Sequence, residues 1–250
     1  MIRFHAFNVT DLIKLRFAKL WASLTTPSYW GALLLGVAPA VEHRRVLRSL
    51  VVDSVVDIGA NRGQFSLACR SALPRVPVVA FEPIPAEAAT FQKVHGHIPY
   101  VRLIESALGE SKGVATLHVS KSADSSSLLP IGRRQTDLFE DTAEVGTISV
   151  PVNRLDDFAE CWAGRTRQLL KLDVQGYELN VLRGAVETLK SCAYVYAECS
   201  EVALYDGQAL RPEVEAYLGV HGFVVQDRFN EQMHDGQLIQ ADYLFERTGR

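Results

Sequence analysis

Two short stretches carry residues whose types and spacing suit chemistry. The first is Val55-Val56-Asp57-Ile58-Gly59-Ala60-Asn61-Arg62-Gly63-Gln64-Phe65. A β-branched run passes into a small-residue turn and then into a helix-like segment. Gly59 and Gly63 let a ligand approach the backbone closely, and the helix start offers unpaired N–H groups. Nineteen residues beyond Gly63, the next apolar run ends in Phe81-Glu82-Pro83. An acid at that distance takes a ribose in nucleotide-binding α/β folds, because one carboxylate accepts both ribose hydroxyls. The spacing Gly59-x-Asn61-x-Gly63 lacks the third glycine of a dinucleotide fingerprint. A ligand without a pyrophosphate does not need that glycine. S-adenosylmethionine (SAM), a nucleoside joined to an amino acid through a sulfonium, is such a ligand. Turn backbone would hold its amino-acid part and Glu82 its ribose. An NAD-linked oxidoreductase on the same kind of sheet is the first alternative, and a catalytically inert binding protein the second.

The other stretch is Lys171-Leu172-Asp173-Val174-Gln175-Gly176-Tyr177-Glu178. Successive strand residues alternate faces, so Lys171 and Asp173 share one. A charge ending a buried strand needs a partner. Glu198 ends the neighbouring apolar run. Two carboxylates at adjacent strand ends suit general-base chemistry or a divalent cation. Asp173 is therefore expected to be the base, with Glu198 assisting it or sharing a metal. Glu178 opens a helix, where the dipole favours an acid regardless of function. His118 and His234 read as surface or packing residues.

These groups need elements to position them. Apolar runs at residues 51–58, 76–81, 100–104, 169–174 and 193–197 alternate with helix-like segments at 61–72, 86–94, 178–190 and 212–221. Unbroken apolar strands separated by helices indicate a parallel sheet covered on both faces. Ligands then bind beyond the carboxyl ends of the strands. The last two runs, 223–229 and 241–245, flank Asp235-Gly236 with no room for a helix and read as an antiparallel pair. Residues 114–119 and 147–152 alternate like strands. Between them, residues 120–146 are polar and read as a flap over the site. Arg133 and Arg134 in it would admit a sugar or a phosphorylated carrier.

The chain has 250 residues, a formal net charge of −3 and four scattered cysteines without a C-x-x-C pair. That balance argues against a broad nucleic-acid face. The cysteine usage fits neither a disulfide framework nor a zinc site, and a reduced cytoplasmic setting is expected. The most apolar stretch, residues 29–41, is shorter than the roughly 20 residues that span a bilayer and contains Pro39. Before it, residues 12–21 place Leu12, Ile13, Phe17, Leu20 and Trp21 near one helical face, with Lys14, Arg16 and Lys19 away from it. Such a helix packs on the main domain or a second subunit, making a homodimer plausible, or lies on a membrane surface. We expect a helical extension at 1–48 and one catalytic domain at 49–250.

The run Val56–Phe65, the Phe81-Glu-Pro83 step, the Ser106-Ala-Leu-Gly109 step and above all Leu170-Lys-Leu-Asp-Val-Gln-Gly-Tyr-Glu-Leu-Asn-Val-Leu-Arg-Gly-Ala185 resemble the FkbM family of SAM-dependent methyltransferases. Ser125-Ser-Ser-Leu-Leu129 is similar to that family's serine-containing loop. The resemblance covers roughly residues 51–205. It implies a class I methyltransferase, Rossmann-like α/β fold with a mostly parallel seven-stranded sheet, and methyl transfer to a hydroxyl of a sugar, glycolipid or natural product. Carried over by position, Asp57, Gly59, Asn61 and Gly63 would line the methionine end of the cofactor. Glu82 would bind the ribose, Ser106 and Ala107 would border the adenine, and Asp173 would sit beside the methyl group.

Overall fold

The computed structural model describes Trp21, Thr26 and residues 29–249. Most of the basic helix expected at 12–21 lies outside the described residues. In chain order the helices are α1 (Trp30–Leu34), α2 (Arg44–Ser49), α3 (Gln64–Ala72), α4 (Pro85–His95), α5 (Arg133–Leu138), α6 (Glu178–Arg183), α7 (Val186–Leu189) and α8 (Arg211–Val220). The strands are β1 (Ser54–Ile58), β2 (Val78–Phe81), β3 (Val101–Ile104), β4 (Ala107–Leu108), β5 (Gly113–Ser120), β6 (Glu144–Asn153), β7 (Gln168–Leu172), β8 (Cys192–Ser200), β9 (Phe223–His234) and β10 (Gln237–Arg247).

Seven strands form the main sheet in the order β3-β2-β1-β7-β8-β10-β9. Pairings from β3 through β8 are parallel, while β10 runs antiparallel to both β8 and β9. This is the expected mostly parallel α/β sheet with a C-terminal antiparallel hairpin. Every residue of β1, β2 and β7 is buried, because helices cover both faces. The alternation of side chains sorts the core into two layers. Val55, Val78 and Leu169 pack with Leu47 of α2 and Phe65 of α3. Val56, Val79 and Leu170 pack with Leu182, Leu189 and Leu218 of α6, α7 and α8. The expected boundary near residue 48 falls inside α2, whose Val46 and Leu47 belong to the same core as β1.

The chain leaves β1 for β2 and β3 on one side, and later resumes with β7 on the other. A crevice opens at such a reversal, beyond the carboxyl ends of β1 and β7.

Three elements differ from expectation. The helix expected over 178–190 breaks into α6 and α7 at Gly184. A Cβ on Gly184 would stand 2.1 Å from the Gly109 carbonyl oxygen, so the chain turns there at a close backbone contact. Asp156 then restarts the helix by accepting the N–H groups of Glu187 and Thr188. The C-terminal hairpin is longer than the apolar runs, because its outer halves are polar. Its turn residues Asp235 and Gly236 take φ of 47° and 78°. Residues 120–146, expected as a flap over the site, border the cleft and carry structure of their own. They contain α5 and a 3₁₀ turn at Ala123–Ser125. Leu129, Ile131, Leu138 and Phe139 anchor them on Leu204, Tyr205 and Ile239. Among the described residues no helix is long and apolar enough to cross a membrane.

Candidate active site

An open cleft lies at that reversal. Its lining includes Gly59 and Asn61 after β1, Glu82 after β2, Ser106 and Ala107, and Asp173 and Gln175 after β7. Its far wall is Asp124, Ser126, Ser127 and Leu128 from the segment between β5 and β6.

Glu82 is held by the backbone on both oxygens. Asn61 N–H donates to Oε2 at 2.8 Å and Ile84 N–H to Oε1 at 2.7 Å. Burial is the largest influence on the carboxyl and outweighs those donors, raising its pKa to about 7. Asn61 reaches its place with φ of 49°, a left-handed conformation that asparagine tolerates. Each Glu82 oxygen has lone pairs beyond its one backbone bond and can accept a further hydroxyl from the cleft.

Asp173 accepts from Lys171 Nζ at 3.0 Å and from Gln175 Nε2 at 2.7 Å. Burial pushes its pKa up, but the Lys171 charge and the Gln175 hydrogen bond outweigh burial and hold it below the usual carboxylate value. Its side chain keeps 35% exposure toward the cleft. Lys171 is buried between Asp173 and Asp57, the latter at 3.9 Å, so its charge is compensated on both sides.

Four of the expected site residues stand elsewhere or act differently. Asp57 is fully buried behind the turn and does not line the cleft; Ser66 Oγ donates to it at 2.7 Å. Gly63 also lies outside the lining. A Cβ there would stand 2.4 Å from His95 Nε2, and that nitrogen lies 3.0 Å from the Gly63 carbonyl. Burial lowers the His95 pKa to about 4, so the ring is neutral and donates. Gly63 is thus glycine because a histidine packs against it. Gly59 does border the cleft, yet its own constraint is protein backbone: a Cβ would stand 1.8 Å from the Asp173 carbonyl oxygen. Glu198 does not line the cleft. Burial, then the charges of Asp173 and Asp242, push its pKa well above its usual value, which favours the protonated form over the ionised one a base needs.

A single side chain links the two acids. Gln175 Nε2 donates to Asp173 Oδ1 and, at 2.8 Å, to Glu198 Oε2. The amide thus stands between the two acids expected either to assist each other or to share a metal. Among the described residues no group of three or more His, Cys, Asp or Glu is arranged to hold a metal ion. Gln175 Oε1 accepts from Tyr205 Oη at 2.8 Å, and its carbonyl accepts from Ser127 Oγ at 2.7 Å. The reading of the sequence missed Gln175 and Tyr205. The left-handed Gln175 before Gly176 was a local signal; Tyr205 had none, because its partners are 30 and 80 positions away.

The Ser106 hydroxyl donates to the Ala107 carbonyl at 2.6 Å and accepts from Asn153 Nδ2 at 2.9 Å, so it shapes this wall. Glu178 accepts the N–H groups of Val174 and Gly176 through one oxygen, which stabilises the turn after β7. His118 pairs with Glu144 and His234 with Asp235, both away from the cleft lining. Arg133 and Arg134 lie on α5 and do not line it either.

Comparison with known proteins bears on this geometry. The 2-O-methyltransferase NoeI of Sinorhizobium fredii is 30% identical over 174 residues, 66% of this chain and 72% of that protein. Methyltransferase 1 of Beauveria bassiana is 32% identical over 146 residues, 52% of this chain and 57% of the fungal protein. Among solved structures, the magnesium protoporphyrin IX methyltransferase of Synechocystis with bound SAM aligns over 98% of this chain and 100% of its own, at 10% identity and a TM-score of 0.45. The model of the methyltransferase FkbM domain matches residues 57–225. That span runs from the last turn of β1 into β9 and takes in the cleft-lining residues from Ile58 to Tyr177, so the chain belongs to the FkbM methyltransferase family.

Proposed function

We propose that this protein moves a methyl group from SAM to a hydroxyl oxygen of a sugar, glycolipid or natural-product acceptor. The observation that carries this reading is the presence, in one cleft, of a doubly anchored carboxyl after β2 and an ionised one after β7. The residues fit the cofactor. Glu82 has acceptor capacity for two ribose hydroxyls. Ser106, Ala107, Leu108 and Leu117 offer a mostly apolar wall for an adenine, and Gly59 and Asn61 offer turn backbone for an amino-acid end. SAM, when bound, supplies a methyl carbon on a positively charged sulfur.

Asp173 is the group proposed to receive the acceptor's proton. A carboxylate held below its usual pKa is a weak base toward a free alcohol. It suffices once the oxygen–carbon bond is forming, because the alkylated oxygen is far more acidic than the alcohol. Lys171 and Gln175 fix the rotamer, so Asp173 presents its carboxylate without reorganising. The Ser126–Leu128 segment walls one side of the cleft, which reduces the access of water that would compete with the acceptor. An oxygen acceptor is favoured by the named activity of the relative NoeI, a 2-O-methyltransferase.

The test is incubation with methyl-labelled SAM and separate pools of glycans, glycolipids and hydroxylated polyketides. Label on one of these that survives alkali and whose carbon shift in nuclear magnetic resonance places it on oxygen is an ether and supports the reading. Label released by alkali is an ester, and it would assign a carboxyl acceptor instead.

A further inference from the structure

The face around α1 is unlike the rest of the surface. Trp30, Leu33, Leu34 and Leu35 stand between 36% and 89% exposed. They are not a core left unfinished. Tyr29, Ala32 and Val37 pin the segment onto Leu67 of α3 and Val94 of α4. The segment is mounted from below and holds a tryptophan and three leucines outward. Exposed cations lie on elements close to it, Lys93 next to Val94 in the last turn of α4, and Arg45 and Arg48 on α2, which follows it in the chain. Acids near these cations in sequence are occupied or withdrawn: Glu87 is buried and pairs with Arg62, Glu42 is half-buried, and Asp53 accepts the N–H groups of Thr166 and Arg167.

The charge distribution points the same way. The first 50 residues hold seven Lys or Arg and two Asp or Glu, a net of +5 in a chain whose total is −3. Residues 12–21 repeat the combination by sequence, with Lys14, Arg16 and Lys19 beside Leu, Ile, Phe and Trp positions.

We propose that α1 and its basic flank dock the enzyme reversibly on an anionic lipid surface. Tryptophan and leucine side chains enter the boundary between headgroups and acyl chains, and arginine and lysine meet the anionic headgroups. A second copy of the chain meeting the same face in a two-fold contact would set one net-positive segment against another. A lipid surface offers both an apolar interior and the opposite charge. The proposal does not depend on the methyl-transfer reading.

The test is co-sedimentation of the full chain with phosphatidylcholine vesicles, with and without phosphatidylglycerol. The wild type is expected to pellet with the anionic vesicles and to be released by salt. Each basic side chain near such a surface is worth about fivefold in partitioning. Arg45→Glu with Arg48→Glu, and separately Trp30→Ser with Leu34→Ser, should each cut binding by about tenfold or more with the circular-dichroism melting curve retained. A wild type that stays in the supernatant, binds irrespective of lipid charge, or binds equally in the folded variants overturns the proposal. So does light scattering that shows a dimer split by Leu34→Ser without vesicle binding, which would make the patch a subunit contact.

Discussion

Glu82→Gln probes the cofactor site most directly, because the structure lets both its size and its pH dependence be worked out. In the wild type, ribose hydroxyls would donate to a carboxylate, and hydrogen bonds to charged groups are worth about 1.5–3 kcal/mol each. Glutamine keeps one neutral acceptor and turns an amide donor toward one of the two backbone N–H groups of Asn61 and Ile84. The expected loss is about 2–4 kcal/mol, or roughly 30- to 1000-fold in SAM affinity. The pH dependence has a definite sign. Burial raises the free Glu82 pKa to about 7. Donors from the ligand favour the charged form, so binding expels a proton from the fraction still protonated. Wild-type affinity should therefore climb as pH rises, at about a tenth of its maximum near pH 6, and level off above the free pKa. Titration calorimetry across about pH 6 to 8 reads both quantities, with NAD as a control ligand. Wild-type affinity in folded Glu82→Gln, or a wild type whose affinity ignores pH in that window, would refute the assignment of Glu82 to the ribose.

Asp173→Asn should leave SAM affinity within about tenfold while lowering single-turnover methyl transfer by about 10²–10⁴, once an acceptor is in hand; equal loss of both would make Asp173 a holding residue. Gly59→Ala should cost more than about 3 kcal/mol in urea unfolding, because its Cβ would meet the Asp173 carbonyl carbon and oxygen at a positive φ. Tyr205→Phe removes the donor that joins Gln175 Oε1 to the Ser125 carbonyl, and hydrogen exchange should quicken across residues 120–130 while β1 and β7 stay protected. Glu178 is buried with its pKa raised from 4.5 to about 7. An acid raised on folding stabilises most at low pH and loses that contribution as pH rises through the folded pKa. Glu178→Gln should therefore flatten the melting-temperature decline between about pH 4.5 and 7, up to about 3 kcal/mol of it.

Some of this molecule is local and so could be read along the chain. Val55-Val56, Val78-Val79 and Leu169-Leu170 are continuous apolar runs, and continuity means burial on both faces. The turn after β1 and the acid after β2 lie within one strand–helix–strand unit. Their meeting through the Asn61–Glu82 hydrogen bond needs little beyond that unit. Lys171 and Asp173 share a strand face by period alone, and the structure joins them at 3.0 Å.

Other features had no local trace. Whether an acid is a base depends on what surrounds it. Asp173 and Glu198 look alike in sequence, yet a lysine beside Asp173 holds its pKa down while burial and neighbouring carboxyl groups push that of Glu198 up. Gly59 and Gly63 were read as room for a ligand, but the atoms that forbid a side chain belong to Asp173 and His95. The polar segment 120–146 gave no sign of its anchoring, because its few apolar residues find partners on β10 and near Tyr205, about 65 to 110 positions away.

Sequence by itself determined the sheet, its order of elements, the family and the cleft's two acidic strand ends, since periodicity and short motifs record which faces are buried. The tertiary structure decided protonation, the Gln175 bridge and which glycines serve packing. Those depend on charges and contacts between residues far apart in the chain, and desolvation acts only once they have been brought together.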